Sequence, residues 1–178
     1  MTKKALFLDR DGVINVDKSY VYRWEDFEFI PEIFDIIKMA RERNYLVIVL
    51  TNQSGIARGM YQEADVLKLH KKINEELSKQ NLAIDEFFFC PDFSEKYRKP
   101  APGMMLDAVS RFNIDLNHSI MVGDKPSDLI DLSEHGQFDL RTFLIQGNYT
   151  LNLELKNQKN VTICRDHKEL KSLLAKSL

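Results

Sequence analysis

Asp9-Arg10-Asp11-Gly12 follows directly on the apolar run of residues 5–8. A short apolar run bounded by charge reads as a buried parallel strand, and the carboxyl ends of such strands are where open α/β sheets bind ligands. Carboxylates two residues apart point to one face of a straight strand, and Gly12 lets the chain turn away sharply. Crowded acids repel unless a cation separates them or one keeps a proton. Either arrangement suits the transfer of a phosphoryl group.

Other apolar runs end in equally suggestive residues. Residues 46–50 are followed by Thr51-Asn52-Gln53-Ser54-Gly55, residues 87–89 lead towards Arg98-Lys99-Pro100, and residues 119–122 run into Gly123-Asp124-Lys125-Pro126-Ser127-Asp128. In a parallel sheet these ends share one rim. A carboxylate attacking a phosphate dianion meets charge repulsion, which Mg²⁺ relieves through oxygen ligands. Asp9 and Asp124 could supply carboxylate ligands, with a backbone carbonyl near Asp11 as a third. Lys99 could hold the charge on the phosphoryl oxygens, and Thr51 offers a hydroxyl beside loop N–H groups. Asp11 suits a general acid and base. Ordinary roles compete: residues 51–54 could cap a helix, Asp124 and Asp128 could be acids of a helix N-terminus, and Arg58 and Lys125 could be solvated charges.

The elements that would position these groups alternate. Strands are expected over 5–8, 46–50, 87–89 and 119–122, with weaker candidates over 141–145 and 161–164. Between them, helical spacing runs from Pro31 through Ile33, Phe34, Ile36, Ile37 and Ala40, over residues 62–79, and from Pro102 through Met104, Met105, Ala108, Val109 and Phe112. A shorter helix is expected after Pro126, and Asp166 with Glu169 reads as a capping box for a last helix. The pattern predicts a Rossmann-like α/β fold, a parallel sheet with helices on both faces. Residues 147–160 read as a loop. Residues 15–29 form the longest irregular piece near the first strand and carry Tyr20, Tyr22 and Trp24, which could fold over the site. His70, His118, His135 and His167 lie at no metal-ligand spacing, on helices or their edges, and receive no role.

The 178 residues suffice for a single domain spanning 1–178, with no room for a cap domain. A net charge of −2 gives no reason to expect nucleic acid or a membrane as partner. Cys90 and Cys164 are no disulfide framework, and the first apolar run is too short for a signal peptide or a membrane span. The expectation is a cytoplasmic monomer acting on a small molecule.

The four motifs, with Val13-Ile14-Asn15 continuing the first, Ile56-Ala57-Arg58-Gly59 the second, Ala101-Pro102-Gly103-Met104 the third and Met121-Val122 opening the fourth, resemble those of the haloacid-dehalogenase superfamily. More narrowly they resemble its histidinol-phosphatase and heptose-bisphosphate-phosphatase branch. Asp17, Tyr20 and the full loop of residues 51–59 are most similar to the heptose-bisphosphate side. The resemblance implies that Asp9 is the nucleophile and forms an aspartyl-phosphate, and that Asp11 protonates the leaving oxygen and then activates water. It implies that Asp9, the Asp11 carbonyl and Asp124 hold Mg²⁺, that Thr51 and Lys99 grip the phosphoryl group, and that Asp128 orients Lys99 or a metal-bound water. Asp17, Ser19, Tyr20, Asn52, Gln53, Ser54, Arg58, Arg98 and Lys125 would line the substrate cleft, with Arg98 reading hydroxyls or a second phosphate. The implied substrate is D-glycero-D-manno-heptose 1,7-bisphosphate, losing its 7-phosphate in cell-surface glycan synthesis. The chain departs from the branch in one loop. Where a Cys-x-His and a Cys-x-Cys would bind zinc, it reads Cys90-Pro91-Asp92-Phe93-Ser94-Glu95-Lys96-Tyr97. Structural zinc takes four ligands, so no zinc is expected, and Phe93 or Tyr97 is expected to pack the loop down.

Overall fold

The computed structural model describes residues 1–147 and 160–178. The loop expected over 147–160 therefore lies almost wholly outside the described residues. In chain order the elements are β1 (Lys4–Leu8), α1 (Glu32–Glu42), β2 (Tyr45–Asn52), α2 (Glu63–Ser78), β3 (Glu86–Cys90), α3 (Gly103–Phe112), β4 (Ile120–Gly123), β5 (Arg141–Ile145), β6 (Val161–Cys164) and α4 (His167–Ser177). The strands form a sheet of order β3-β2-β1-β4-β5-β6, and every pairing is parallel. This is the expected Rossmann-like α/β fold.

The core follows from the alternation of side chains along a strand. Leu6, Leu8, Val47, Val49, Ile120 and Val122 face one way and are buried with Ile33, Ile36 and Ile37 of α1, Leu69 and Ile73 of α2, and Leu170 and Leu174 of α4. Ala5, Phe7, Ile48, Leu50 and Met121 face the other way and pack on Met104, Met105 and Ala108 of α3. Each buried aliphatic chain stabilises the fold by about 1.5–3 kcal/mol. The β1 strand, paired on both sides, is buried from Ala5 to Leu8. The helices stop where a side chain tolerates left-handed backbone: Asn44, Asn81 and Asn113 follow α1, α2 and α3 with φ of 61°, 61° and 55°. At α4 the Asp166 side chain accepts from the Glu169 N–H at 2.9 Å, but the Glu169 carboxylate accepts from the Arg165 N–H at 2.6 Å rather than from Asp166, so only half of the expected capping box forms.

Three local expectations are corrected. The short helix after Pro126 is a single 3₁₀ turn, Pro126–Asp128. Residues 54–61 form turns and bends, and α2 starts only at Glu63 with Gln62 as its cap, so residues 51–54 cap no helix. His135 lies in a turn rather than at a helix edge. No helix among the described residues is long and apolar enough to cross a membrane, and none of the described connections holds a cap domain.

Candidate active site

Strand order reverses between β1 and β4, and that crevice is where open sheets place their ligands. Asp9 sits there, its N–H donating to the Val122 carbonyl of β4 at 2.9 Å. The Asp9 carboxylate is buried and accepts from Lys99 Nζ at 2.8 Å, while the same ammonium donates to Asp128 at 2.5 Å. The second oxygen of Asp128 accepts the N–H groups of Asp124 and Lys125, each at 3.0 Å. Asp128 thus fixes both the buried ammonium and the turn that carries Asp124.

Asp9, Asp124 and Asp128 each bring a carboxylate oxygen within 4.8 Å of the others. Asp128 is occupied by its donors. Asp124 is not: its Oδ1 is buried without a hydrogen-bond partner, and Lys125 Nζ stands 3.9 Å away. Burial first, and the charge of Asp9 second, push the Asp124 carboxyl up to about 8. Burial likewise raises Asp9 to about 6, against the pull of Lys99. An orphaned, buried carboxylate oxygen opposite a second acid, in an all-oxygen donor set, fits Mg²⁺. The Asp11 carboxylate is not in this group.

A pH dependence follows from these two acids. Between the ordinary aspartate value and its raised folded value, each holds a proton that the unfolded chain has released. Their contribution to stability is complete below pH of about 4 and is lost as the pH rises through about 6 for Asp9 and about 8 for Asp124. EDTA-treated protein is expected to melt lower at pH 8 than at pH 6, and added Mg²⁺ to raise the melting temperature more at pH 8. Equal gains at both values would count against this arrangement.

Gly12 makes the close approach possible. Its φ is +93°, and a Cβ there would lie 2.2 Å from Asp124 Oδ2. Gly12→Ala combines about 1–3 kcal/mol of backbone strain with displacement of Asp124. The expected outcome is at least about a tenfold rise in the Mg²⁺ concentration for half-maximal activity, with the far-ultraviolet circular dichroism unchanged.

Asp11 stands differently from Asp9. The strand has ended, and the chain curls so that the N–H groups of Ile14 and Asn15 return to the Arg10 carbonyl at 2.8 and 3.2 Å. The Asp11 carboxylate accepts from Arg10, from Asn15 Nδ2 at 3.0 Å and from Gln53 Nε2 at 3.2 Å. It borders the same cleft as Asp9, a space of about 260 Å³.

The cleft collects most of the other sequence-derived candidates. Thr51, Gln53 and Ser54 line it from the β2 end, Arg98 and Lys99 from the loop after β3, and Lys125 and Asp128 from the β4 end. Asp17, Ser19 and Tyr20 close it from the 15–29 segment, where left-handed φ of 60° and 53° at Ser19 and Tyr20 turns the chain towards the opening. Asp17 accepts from Lys125 Nζ at 3.0 Å. Asn52 also lines the cleft, but its side-chain amide clamps the backbone of Lys99, accepting from its N–H at 3.0 Å and donating to its carbonyl at 3.1 Å.

Some candidates lie elsewhere. Arg58 is outside the cleft lining and stacks over the exposed Phe93 ring at 5.4 Å, with Arg98 over the same ring at 5.2 Å. Phe93 therefore does not pack its loop down; Tyr97 does, against the α3 side of the core. Cys90 Sγ donates to Asp92 at 3.4 Å, and burial pushes its thiol upward. Trp24 does not cover the site: it stacks on Phe27 at 5.5 Å against the core. Tyr22 reaches the site only through Tyr61, on which it stacks at 4.7 Å. Tyr61 and Ser127 line the cleft and escaped the sequence reading. The Tyr61 hydroxyl donates to Gln53 at 2.8 Å, and its ring lies where a Cβ on Gly55 would be.

The family model described as polynucleotide kinase 3 phosphatase matches residues 4–167. The D-glycero-beta-D-manno-heptose-1,7-bisphosphate 7-phosphatase of Helicobacter pylori is 39% identical over 177 residues, covering 97% of this chain and 98% of that one. The chain belongs to the haloacid-dehalogenase phosphatases, in the branch of histidinol and heptose-bisphosphate phosphatases. The D-glycero-alpha-D-manno-heptose-1,7-bisphosphate 7-phosphatase of Campylobacter jejuni is 50% identical over 130 residues, 72% of this chain and 76% of that one. Among solved structures, the D,D-heptose 1,7-bisphosphate phosphatase of B. bronchiseptica, complexed with magnesium and phosphate, superimposes with a TM-score of 0.79 at 27% identity, covering 98% of this phosphatase and 99% of that chain.

Proposed function

We propose that this phosphatase removes the 7-phosphate of D-glycero-D-manno-heptose 1,7-bisphosphate by way of an aspartyl-phosphate on Asp9, in the synthesis of nucleotide-activated heptose for cell-surface glycans. The observation that carries the chemistry is the buried Asp9 carboxylate in an open polar cleft, gripped by Lys99 on one oxygen and neighboured by Asp124, whose buried Oδ1 accepts no hydrogen bond. The names of the relatives given above support the choice of substrate.

Mg²⁺ held by Asp9, Asp124 and the Asp11 carbonyl would neutralise the charge between nucleophile and phosphate. The remaining chemistry belongs to side chains. Lys99 and Thr51 hold the phosphoryl oxygens as charge spreads over them. Asp9 attacks phosphorus in line with the leaving oxygen, and Asp11 gives that oxygen its proton. Asp11, now a carboxylate, takes a proton from the water that cleaves the acyl phosphate, returning Asp9 to its starting form. Asp128 keeps Lys99 in place. Arg98, one of whose guanidinium nitrogens is buried without a partner, and Lys125 supply cations at the rim for the second phosphate. In this reading the chain is one domain over 1–178, works as a cytoplasmic monomer and needs neither zinc, nucleic acid nor a membrane. A single strand bound by stacking would need a basic track set with aromatic rings. Here the lining carries Asp11 and Asp17, and its aromatic residues are Tyr20 and Tyr61.

The test is a comparison of kcat/KM on both anomers of heptose bisphosphate, on histidinol phosphate and on p-nitrophenyl phosphate with Mg²⁺ present. At least one heptose anomer is expected to exceed the other esters by about 100-fold or more, a gap of about 3 kcal/mol in transition-state binding. Equal rates on all esters would reject the substrate and leave the phosphatase chemistry standing.

A further inference from the structure

The fully buried Arg10 guanidinium has no part in the chemistry above, yet it touches both the acid and the loop that closes the cleft. Its Nη2 donates to both oxygens of Asp11, at 3.0 and 2.8 Å, and to the carbonyl of Val21 at 2.5 Å. Its Nη1 lies 3.4 Å from Nε2 of His70, a buried ring stacked on Phe87 at 4.5 Å. Burying a guanidinium carries a desolvation penalty of several kcal/mol, and apolar side chains of similar volume would fill the space without it.

Val21 is the residue after the cleft-lining Ser19 and Tyr20. The segment is pinned at its base, where the Val16 N–H donates to the Glu28 carbonyl and the Ile30 N–H to the Ile14 carbonyl, each at 2.9 Å. The Val21 side chain is buried in the core. Force applied at the tip therefore passes to the Val21 carbonyl, and from there to a nitrogen shared with Asp11. The planar fork fixes the directions in which Nη2 meets both acceptors and adds Nε, which donates to Asp11 at 3.3 Å; an ammonium on a flexible stem has no such fixed plane.

We propose that Arg10 is a positioning residue that couples substrate contact at Ser19 and Tyr20 to the placement of the Asp11 carboxylate, so that turnover rather than binding alone reads the tip of the loop. The inference rests on the role given to Asp11 above.

The experiment measures kcat and KM on heptose bisphosphate for the wild type, Arg10→Lys, Arg10→Gln, Tyr20→Ala and the double variant Arg10→Lys/Tyr20→Ala. Active sites are counted from the burst of p-nitrophenol released by p-nitrophenyl phosphate, whose leaving group departs without a proton. An unfolded fraction lowers the count and leaves the rate per site untouched. Arg10→Lys and Arg10→Gln are expected to lower kcat per site by about 10- to 100-fold with KM within about threefold, a partial loss of the general acid–base contribution. Tyr20→Ala is expected to lower kcat as well as raise KM, and to lower kcat no further once Arg10 is replaced. Wild-type kcat per site in both Arg10 variants, or effects on kcat that multiply independently, would overturn the coupling. So would a Tyr20→Ala variant changed in KM alone, which holds even if neither Arg10 variant folds. Asp11→Asn separates the premise: a burst followed by arrest upholds the role of Asp11, whereas near-normal turnover removes that role and not merely the coupling.

Discussion

Asparagine in place of Asp9 is expected to lower turnover by at least about 10⁴-fold, the scale on which loss of a central catalytic group is felt, while the fold survives unharmed. The amide is nearly isosteric but a poor nucleophile, so no covalent phosphoenzyme forms. The stability half of the expectation comes from burial: the Asp9 carboxyl is raised to about 6, which means that its charge at pH 7.5 opposes folding. The neutral amide lifts that penalty and reduces the repulsion felt by Asp124, and Lys99 keeps Asp128 as its counter-ion. Asp9→Asn should therefore melt at or above the wild-type temperature at pH 8. It should still bind heptose bisphosphate by calorimetry, and should incorporate no phosphate into protein. A variant that turns over within tenfold of wild type would remove Asp9 from the chemistry.

Replacing Lys99 by methionine should injure both stability and rate. Lys99 is 3% exposed, and its ammonium neutralises Asp9 and Asp128 simultaneously. Burial is the largest single influence and lowers the lysine, but Asp128 and Asp9 together outweigh it and hold the lysine above its ordinary value. Breaking a buried pair from one side costs about 3–5 kcal/mol, which for a chain of this size is roughly 10 °C in melting temperature. The rate should fall by about 10²–10³-fold or more, since the cation that meets the developing phosphoryl charge is gone. The double variant Lys99→Met/Asp128→Asn separates the two effects: it removes one of the two acids left without a counter-ion and should recover part of the melting temperature with none of the activity. Recovery of both would show that Lys99 acts only as a structural counter-ion.

Much of this arrangement was legible in the sequence because a parallel sheet converts chain order into geometry. Apolar runs mark strands, and whatever follows each run lands on one rim; Asp9, Thr51, Lys99 and Asp124 could be brought together on that basis alone. The apolar run 87–89 reads as a buried strand like the others, yet β3 is half-exposed except at Cys90, because it lies at the edge of the sheet. What stayed hidden depends on contacts between segments. Nothing local distinguishes Trp24, packed away on Phe27, from Tyr20, which lines the cleft. Tyr61 enters the site through a shape match with Gly55, and a glycine in a loop announces only that something comes close. Arg10 reads as a charge beside an acid, and nothing in its neighbours says that it is fully buried. At Pro126–Asp128 the start of a helix was legible, and Asp128 accepts the N–H of Lys125 as a helix-opening residue does, but the chain turns extended at Leu129 and the helix stops after one 3₁₀ turn.

The β1 strand is both the earliest in the chain and the innermost in the sheet, with β2 on one flank and β4 on the other. During synthesis the nucleophile thus emerges long before Asp124 and Asp128, the acids grouped with it, and neither flank alone can enclose it. A nascent chain halted before β4 would carry the attacking group with one edge of its strand unpaired and half of its counter-charges missing. Catalysis and completion of the sheet are consequently a single event in the life of the polypeptide. Two polypeptides divided within an exposed connection between β2 and β4 would be silent apart, and would hydrolyse phosphate only when mixed.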